Sequence, residues 1–175
     1  VHPHDAKLLD DAGRAKLRGW LEAPGVVAVG ECGLDYHYMN SPRETQRAVC
    51  AEQVALARER DLPVSIHVRG DDPTAWEELL DLWRAEGRGD LAGVLHCYTG
   101  SLDFAHRALD ARLEISLSGI VTFRTAADLR AIAAARRSSG YIVAMVVEPA
   151  VPNESTGSVR VSARSTSTRS SGRPS

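Results

Sequence analysis

Short β-branched runs separated by helical patterns fill the first 135 or so residues, and this alternation leaves few architectures open. Val26 to Glu31 (VVAVGE), Pro63 to Val68 (PVSIHV), Leu91 to Tyr98 (LAGVLHCY) and Leu113 to Ser118 (LEISLS) read as buried strands. The intervening segments carry helix-start chemistry. Ser41 at N-cap, Pro42 at the first helical position and Glu44 three residues on form a capping box, opening a helix to about Arg60 with Cys50, Val54 and Ala57 on one face. Asp72 and Pro73 open the next, where Trp76, Leu79, Leu80 and Trp83 repeat at i, i+3, i+4 and i+7 until Gly87 and Gly89 stop it. Ser101 caps a helix around Phe104 and Ala108, Thr125 with Asp128 caps one holding Leu129 and Ile132, and Leu17, Trp20 and Leu21 suggest one before the first strand. Strands regularly separated by helices imply right-handed βαβ units and a parallel sheet, either a (β/α)8 barrel or an open doubly wound sheet.

The polar residues favour the barrel. Glu31, His67 and His96 each fall at or near the C-terminal end of a different predicted strand, where barrel enzymes assemble their catalytic groups. No G-x-G-x-x-G or G-x-x-x-x-G-K appears at a strand-to-helix turn, so a dinucleotide or P-loop site is not expected. The fold class is therefore α/β, a (β/α)8 TIM-type barrel left incomplete by the few strands that can be read, over residues 1–148. Residues 149–175 are dominated by Ser, Thr, Arg and Pro with almost no large apolar side chains, and are expected to be a disordered tail.

Charge narrows the function. The tail carries Arg160, Arg164, Arg169 and Arg173 against Glu154, a net of +3, so the rest of the chain stands at −5 within a total of −2. An acidic body does not attract nucleic acid by charge, and any phosphate affinity would come from metal ions. No apolar run approaches the roughly 20 residues that span a bilayer, so no membrane partner is expected and the cytoplasm is the default location. Cys32, Cys50 and Cys97 show no C-x-x-C spacing and read as buried thiols, with Cys32 and Cys97 alternating away from the site.

A carboxylate and two imidazoles at three strand ends form a plausible divalent-metal site. Singly each is weak: a strand His is usually a core or surface residue, and a strand-end Glu is usually solvated. The blocks VHPHDA, GECGLDYHY, SIHVR, HCYTGS and ISLSGIVTF, in that order and spacing, resemble successive blocks of TatD-type metal-dependent deoxyribonucleases. That resemblance implies that Glu31 is a metal-bridging, catalytic ligand and that His67 and His96 are further ligands. It implies two divalent ions (magnesium, manganese or zinc) that activate water against a DNA phosphodiester, at an exposed 3′ end. It also places His2-Pro3-His4 apart from the family's H-x-H ligand pair, in a site-lining or loop-structuring role, with His4 a candidate substrate contact. Asp35, Tyr36 and Arg69 are further candidate substrate contacts. Asp35 can equally cap a turn, Tyr36 can simply pack, and Arg69 can hold a phosphate or form an ordinary salt bridge.

Two family blocks are absent. The H-x-H of the first strand is not found, the chain being expected to begin after it, and in place of the closing E-T-D-x-P stands VVEPAVP, with Glu148 and Pro149 adjacent and no Asp. With half the coordination shell missing, activity of this polypeptide alone is expected to be impaired. The alternatives are a related amidohydrolase-type barrel acting on amides, esters or lactones, a non-catalytic metal-binding protein, and an incomplete product without a stable fold.

Overall fold

The computed structural model describes residues 1–134 and 142–144. A 3-10 turn over Pro3–Leu8 leads into α1 (Asp11–Trp20), and β1 (Val29–Asp35), α2 (Arg43–Glu59), β2 (Val64–Arg69), α3 (Thr74–Gly87), β3 (Gly93–Leu95), α4 (Leu102–Asp110), β4 (Leu113–Leu117), α5 (Ala127–Ala134) and β5 (Ile142–Ala144) follow. All neighbouring strands pair in parallel, in the spatial order β1-β2-β3-β4-β5. A doubly wound sheet reverses its strand order partway. Strict sequential order is that of an arc of (β/α)8 wall, which decides between the two architectures that the alternation left open.

The arc is held by one continuous core between strands and helices. Along β2, Val64, Ile66 and Val68 are buried while Ser65 and His67 are partly exposed and Arg69 is exposed, the period-2 pattern of a strand with one face against helices. The stripe read for α3 is met in full: Trp76, Leu79, Leu80 and Trp83 are buried, with Trp76 packed edge-on against Tyr98 and Phe104 at ring separations of 5.2 and 5.3 Å. Ser101 caps α4 as read, accepting a hydrogen bond from the Phe104 amide.

Several boundaries differ from expectation for physical reasons. β1 begins at Val29 and runs to Asp35, because Val27 is exposed and the G-L-D segment continues in register with β2. β3 ends at Leu95, three residues early, and Cys97 takes a left-handed conformation with φ of 49°. Cys97 is thus only partly buried, whereas Cys32 and Cys50 are buried as expected. The capping box at Ser41 does not form. Pro42 is the N-cap residue, and the Ser41 hydroxyl instead accepts from the Lys7 amide and donates to the His4 carbonyl, fastening the N-terminal turn to the start of α2. α1 exists but buries no side chain, and Trp20 is 60% exposed. Of the possible strand Tyr141 to Glu148, Ile142–Ala144 pairs with β4. The change of composition near Arg136, the Glu148-Pro149 echo and the tail at 149–175 lie outside the described residues.

The pairing of β1 with β2 sets the position of the polar residues. Val29 pairs with Val64 and Cys32 with Ile66, so β1 spends three residues where β2 spends two, a bulge that takes Glu31 out of simple alternation. Gly33 then lies opposite His67 at φ of 143°, and a Cβ there would fall 1.9 Å from the His67 carbonyl oxygen. Only glycine permits the two backbones to approach so closely.

Gly33→Ala should therefore cost at least about 2 kcal/mol in denaturant unfolding, whereas Gly119→Ala, where an added Cβ meets nothing within 4 Å, should stay within about 0.5 kcal/mol. Likewise Leu80→Ala, at a fully buried position, should lose about 2–5 kcal/mol, and Trp20→Ala should change stability little despite the larger side chain removed. Equal losses for either pair would contradict this packing.

Candidate metal centre

The polar site lies where β1 and β2 meet the 3-10 turn; Glu31, read from sequence as a strand-end residue, is the third residue of β1, four before its end, and His67 is two before the end of β2. His2, Glu31 and His67 each offer a ligand atom, and these atoms all lie within 4.8 Å of one another. His67 Nδ1 is 3.4 Å from Glu31 Oε1, and its Nε2 is 3.0 Å from Asp35 Oδ2. The His2 ring packs against that of His67 at 4.6 Å, tilted by 58°. Both imidazoles are half-buried and Glu31 is 31% exposed, so the donors face an opening instead of being sealed in the core.

Electrostatics follow from this clustering. In its protonated form the His67 ring, donating from Nδ1, holds the Glu31 carboxyl below its usual range against the cost of burial, helped by the fields of His96, His67 and His2. Burial alone would lower His67, but Glu31 and Asp35 outweigh it and raise its pKa. His2 moves the other way, lowered by burial and by its neighbours His67 and His4.

Of the three ligands expected from sequence, the structure brings Glu31 and His67 together and sets His96 slightly apart. His96 follows the last residue of β3, its amide donates to the Ile66 carbonyl at 2.7 Å, and it acts on Glu31 through its field, but it is outside the group of converging ligand atoms. His2, expected only to line the site or structure the loop, is inside that group. Its Nδ1 accepts the His4 amide at 3.2 Å, which puts the proton of the neutral ring on Nε2, so the His2 lone pair is already engaged and His2 ligates only if that contact is given up.

The residues expected to touch substrate are placed unequally. Arg69 is exposed and its guanidinium lies 4.7 Å over the ring of Tyr38, itself 53% exposed and 5.5 Å edge-on from His4. His4 does not face outward: its Nε2 lies 2.7 Å from Asp35 Oδ2. Asp35 is fully buried and accepts the amides of His37 and Tyr38 through Oδ1, the turn-capping alternative read from sequence. Tyr36 points into the helix layer, its hydroxyl donating to Glu78 at 2.6 Å and its ring under Arg43 at 4.4 Å, and burial pushes its phenol pKa up. Packing, not substrate contact, is the role that placement allows.

Gln46 escaped the sequence reading. Fully buried at the start of α2, its Oε1 accepts the Asp35 amide at 2.7 Å, and its Nε2 donates to the carbonyls of Asp35 and Ser41. The available signal was positional: Gln46 shares the core-facing stripe with Val49, Cys50 and Gln53, and a polar residue on such a stripe has a buried partner.

Known proteins resemble this chain over most of its length. The chain is 37% identical over 125 residues to an uncharacterized metal-dependent hydrolase, YabD, of Bacillus subtilis, covering 71% of this chain and 48% of that protein. It is 39% identical over 121 residues to the 3'-5' ssDNA/RNA exonuclease TatD of a Rahnella species, covering 69% and 44%. Among solved structures, the TatD homolog YjjV of Escherichia coli superposes with a TM-score of 0.70 at 28% identity, over 92% of this chain and 61% of that one. The chain thus spans about half the length of the curated relatives it matches, at 48% and 44%. The family model described as TatD related DNase matches residues 1–144, and by that match the chain belongs to the TatD-related DNase family.

Proposed function

We propose that this chain carries part of the divalent-metal centre of a hydrolase that cleaves phosphodiester bonds in single-stranded nucleic acid, DNA being the substrate expected from sequence. The observation that carries the reading is the convergence of His2, Glu31 and His67 ligand atoms within 4.8 Å beside β1 and β2. Two imidazole nitrogens and a carboxylate oxygen are a donor set suited to zinc, manganese and related ions, so the residues present fit such an ion. Glu31 and His67 would hold it, His2 is the third donor within reach, and His96 is the ligand that the motif resemblance adds. A divalent ion bound there supplies Lewis acidity, polarising a phosphoryl oxygen and lowering the pKa of water.

The chain's own groups account for the rest. Glu31 is kept ionised by His67 and would be available as a carboxylate ligand to a cation held there. Arg69, stacked on exposed Tyr38, presents a fixed cation beside an aromatic face, which suits a phosphate with its adjoining base. That pairing favours a nucleotide over a neutral amide, ester or lactone, as does the ssDNA/RNA exonuclease activity for which the Rahnella relative is named. The 175 residues contain no E-T-D-x-P block and no H-x-H other than His2-Pro3-His4, so we further propose that this polypeptide by itself hydrolyses DNA poorly.

Calorimetric titration with manganese should show saturable binding that Glu31→Gln and His67→Ala each weaken by about 10-fold or more, with His2→Ala weaker in effect and His4→Ala leaving the stoichiometry unchanged. Binding indifferent to both Glu31→Gln and His67→Ala would sink the assignment. Loss of a whole equivalent in His4→Ala would show that the opening H-P-H is itself a ligand pair.

A further inference from the structure

Asp35 has no exposed surface, yet every acceptor position on it is used. Oδ1 accepts the amides of His37 at 3.1 Å and Tyr38 at 2.9 Å, while Oδ2 lies 2.7 Å from His4 Nε2 and 3.0 Å from His67 Nε2. Its backbone is clamped as well, N–H and C=O both bound to the Gln46 amide. Nothing remains for a substrate to contact. An ionised carboxylate only accepts, so each imidazole must present an N–H at Nε2. For a neutral His67 the lone pair is then on Nδ1, the atom directed at Glu31 Oε1 at 3.4 Å.

We propose that Asp35 is the positioning residue of the metal centre: it fixes His67 in the Nε2–H tautomer so that Nδ1 is the free ligand atom facing Glu31. The proposal rests on the metal-centre reading above. Histidine ligands are commonly oriented by a carboxylate on the nitrogen away from the metal, which sets tautomer and ring angle together. Here one carboxylate oxygen serves two rings, so the same contact that orients His67 also holds the turn carrying His2 and His4 against the end of β1. A merely structural Asp35 would hold that turn, but its replacement in a folded variant would leave the manganese affinity unchanged.

The test is long-range proton–nitrogen NMR of metal-free protein labelled with nitrogen-15 histidine, at a pH where the rings are neutral, beside calorimetric titration with manganese. The unmodified chain should show His67 protonated at Nε2 and bare at Nδ1. In Asp35→Asn the amide oxygen can keep the His37 and Tyr38 amides, but the amide nitrogen becomes a donor where Oδ2 accepted. His67 should then shift to the Nδ1–H tautomer and manganese affinity should fall by about 10- to 100-fold. A neutral His67 protonated at Nδ1 in the unmodified chain overturns the proposal, and needs no variant to fold. So does a folded Asp35→Asn with unchanged tautomer and affinity. An unmodified chain that binds no manganese overturns the metal-centre reading, and the tautomer then still decides whether Asp35 sets the state of His67.

Discussion

A carboxylate withdrawn completely from water is costly to keep ionised unless donors replace its hydration, and at Asp35 four of them do. Burial pushes its pKa up, but the Tyr38 amide and the His4 and His67 rings outweigh that and leave it below the usual range. The donors come from the N-terminal turn, the loop after β1 and strand β2, and Gln46 of α2 grips the Asp35 backbone from a fourth direction. Local folding at the end of β1 is thus inseparable from the arrangement of the imidazoles. Among the described residues no buried side-chain nitrogen or oxygen lacks a partner, as this polar cluster requires if it is to be stable at the margin of an apolar core.

The same coupling runs through the backbone. Glu31 is delivered to the site by a bulge, and Gly33 lets β1 lie against the His67 carbonyl closely enough for Asp35 to pair in register with Arg69. A side chain at position 33 would separate the strands at the point where their functional residues meet. The G-E-x-G-L-D run therefore combines the proposed ligand, a close-approach glycine and a buried anchor within six residues, each needed for the geometry of the others.

Much of this was legible in the sequence because it rests on periodicity and short-range chemistry. The 3.6-residue stripe of α3, the Ser101 cap and the four strand cores depend on nearby residues, and sequential βα alternation fixed the parallel arc. Glu31 and His67 stood out because both are polar within apolar strand patterns, although β1 runs four residues past Glu31. What stayed hidden depends on distant partners. Ser41 has the local look of a helix cap, but its hydroxyl is taken by the turn at residues 4 and 7, 37 and 34 positions away. Asp35 resembled a substrate contact because its partners His4 and His67 lie 31 and 32 positions off, in opposite directions along the chain. Tyr36 was ambiguous for the same reason, since only the position of Glu78 turns its hydroxyl toward the helices.

The central claim is that Glu31 and His67 belong to one metal centre on the neighbouring strands β1 and β2. An anomalous-scattering map from crystals of this chain grown with zinc tests it most directly. The account predicts a peak at bonding distance, about 2.0–2.2 Å, from both a Glu31 oxygen and His67 Nδ1, with His67 Nε2 still on Asp35. A map with zinc bound elsewhere and no peak between Glu31 and His67, or with zinc on His67 Nε2 in place of Asp35, would contradict it.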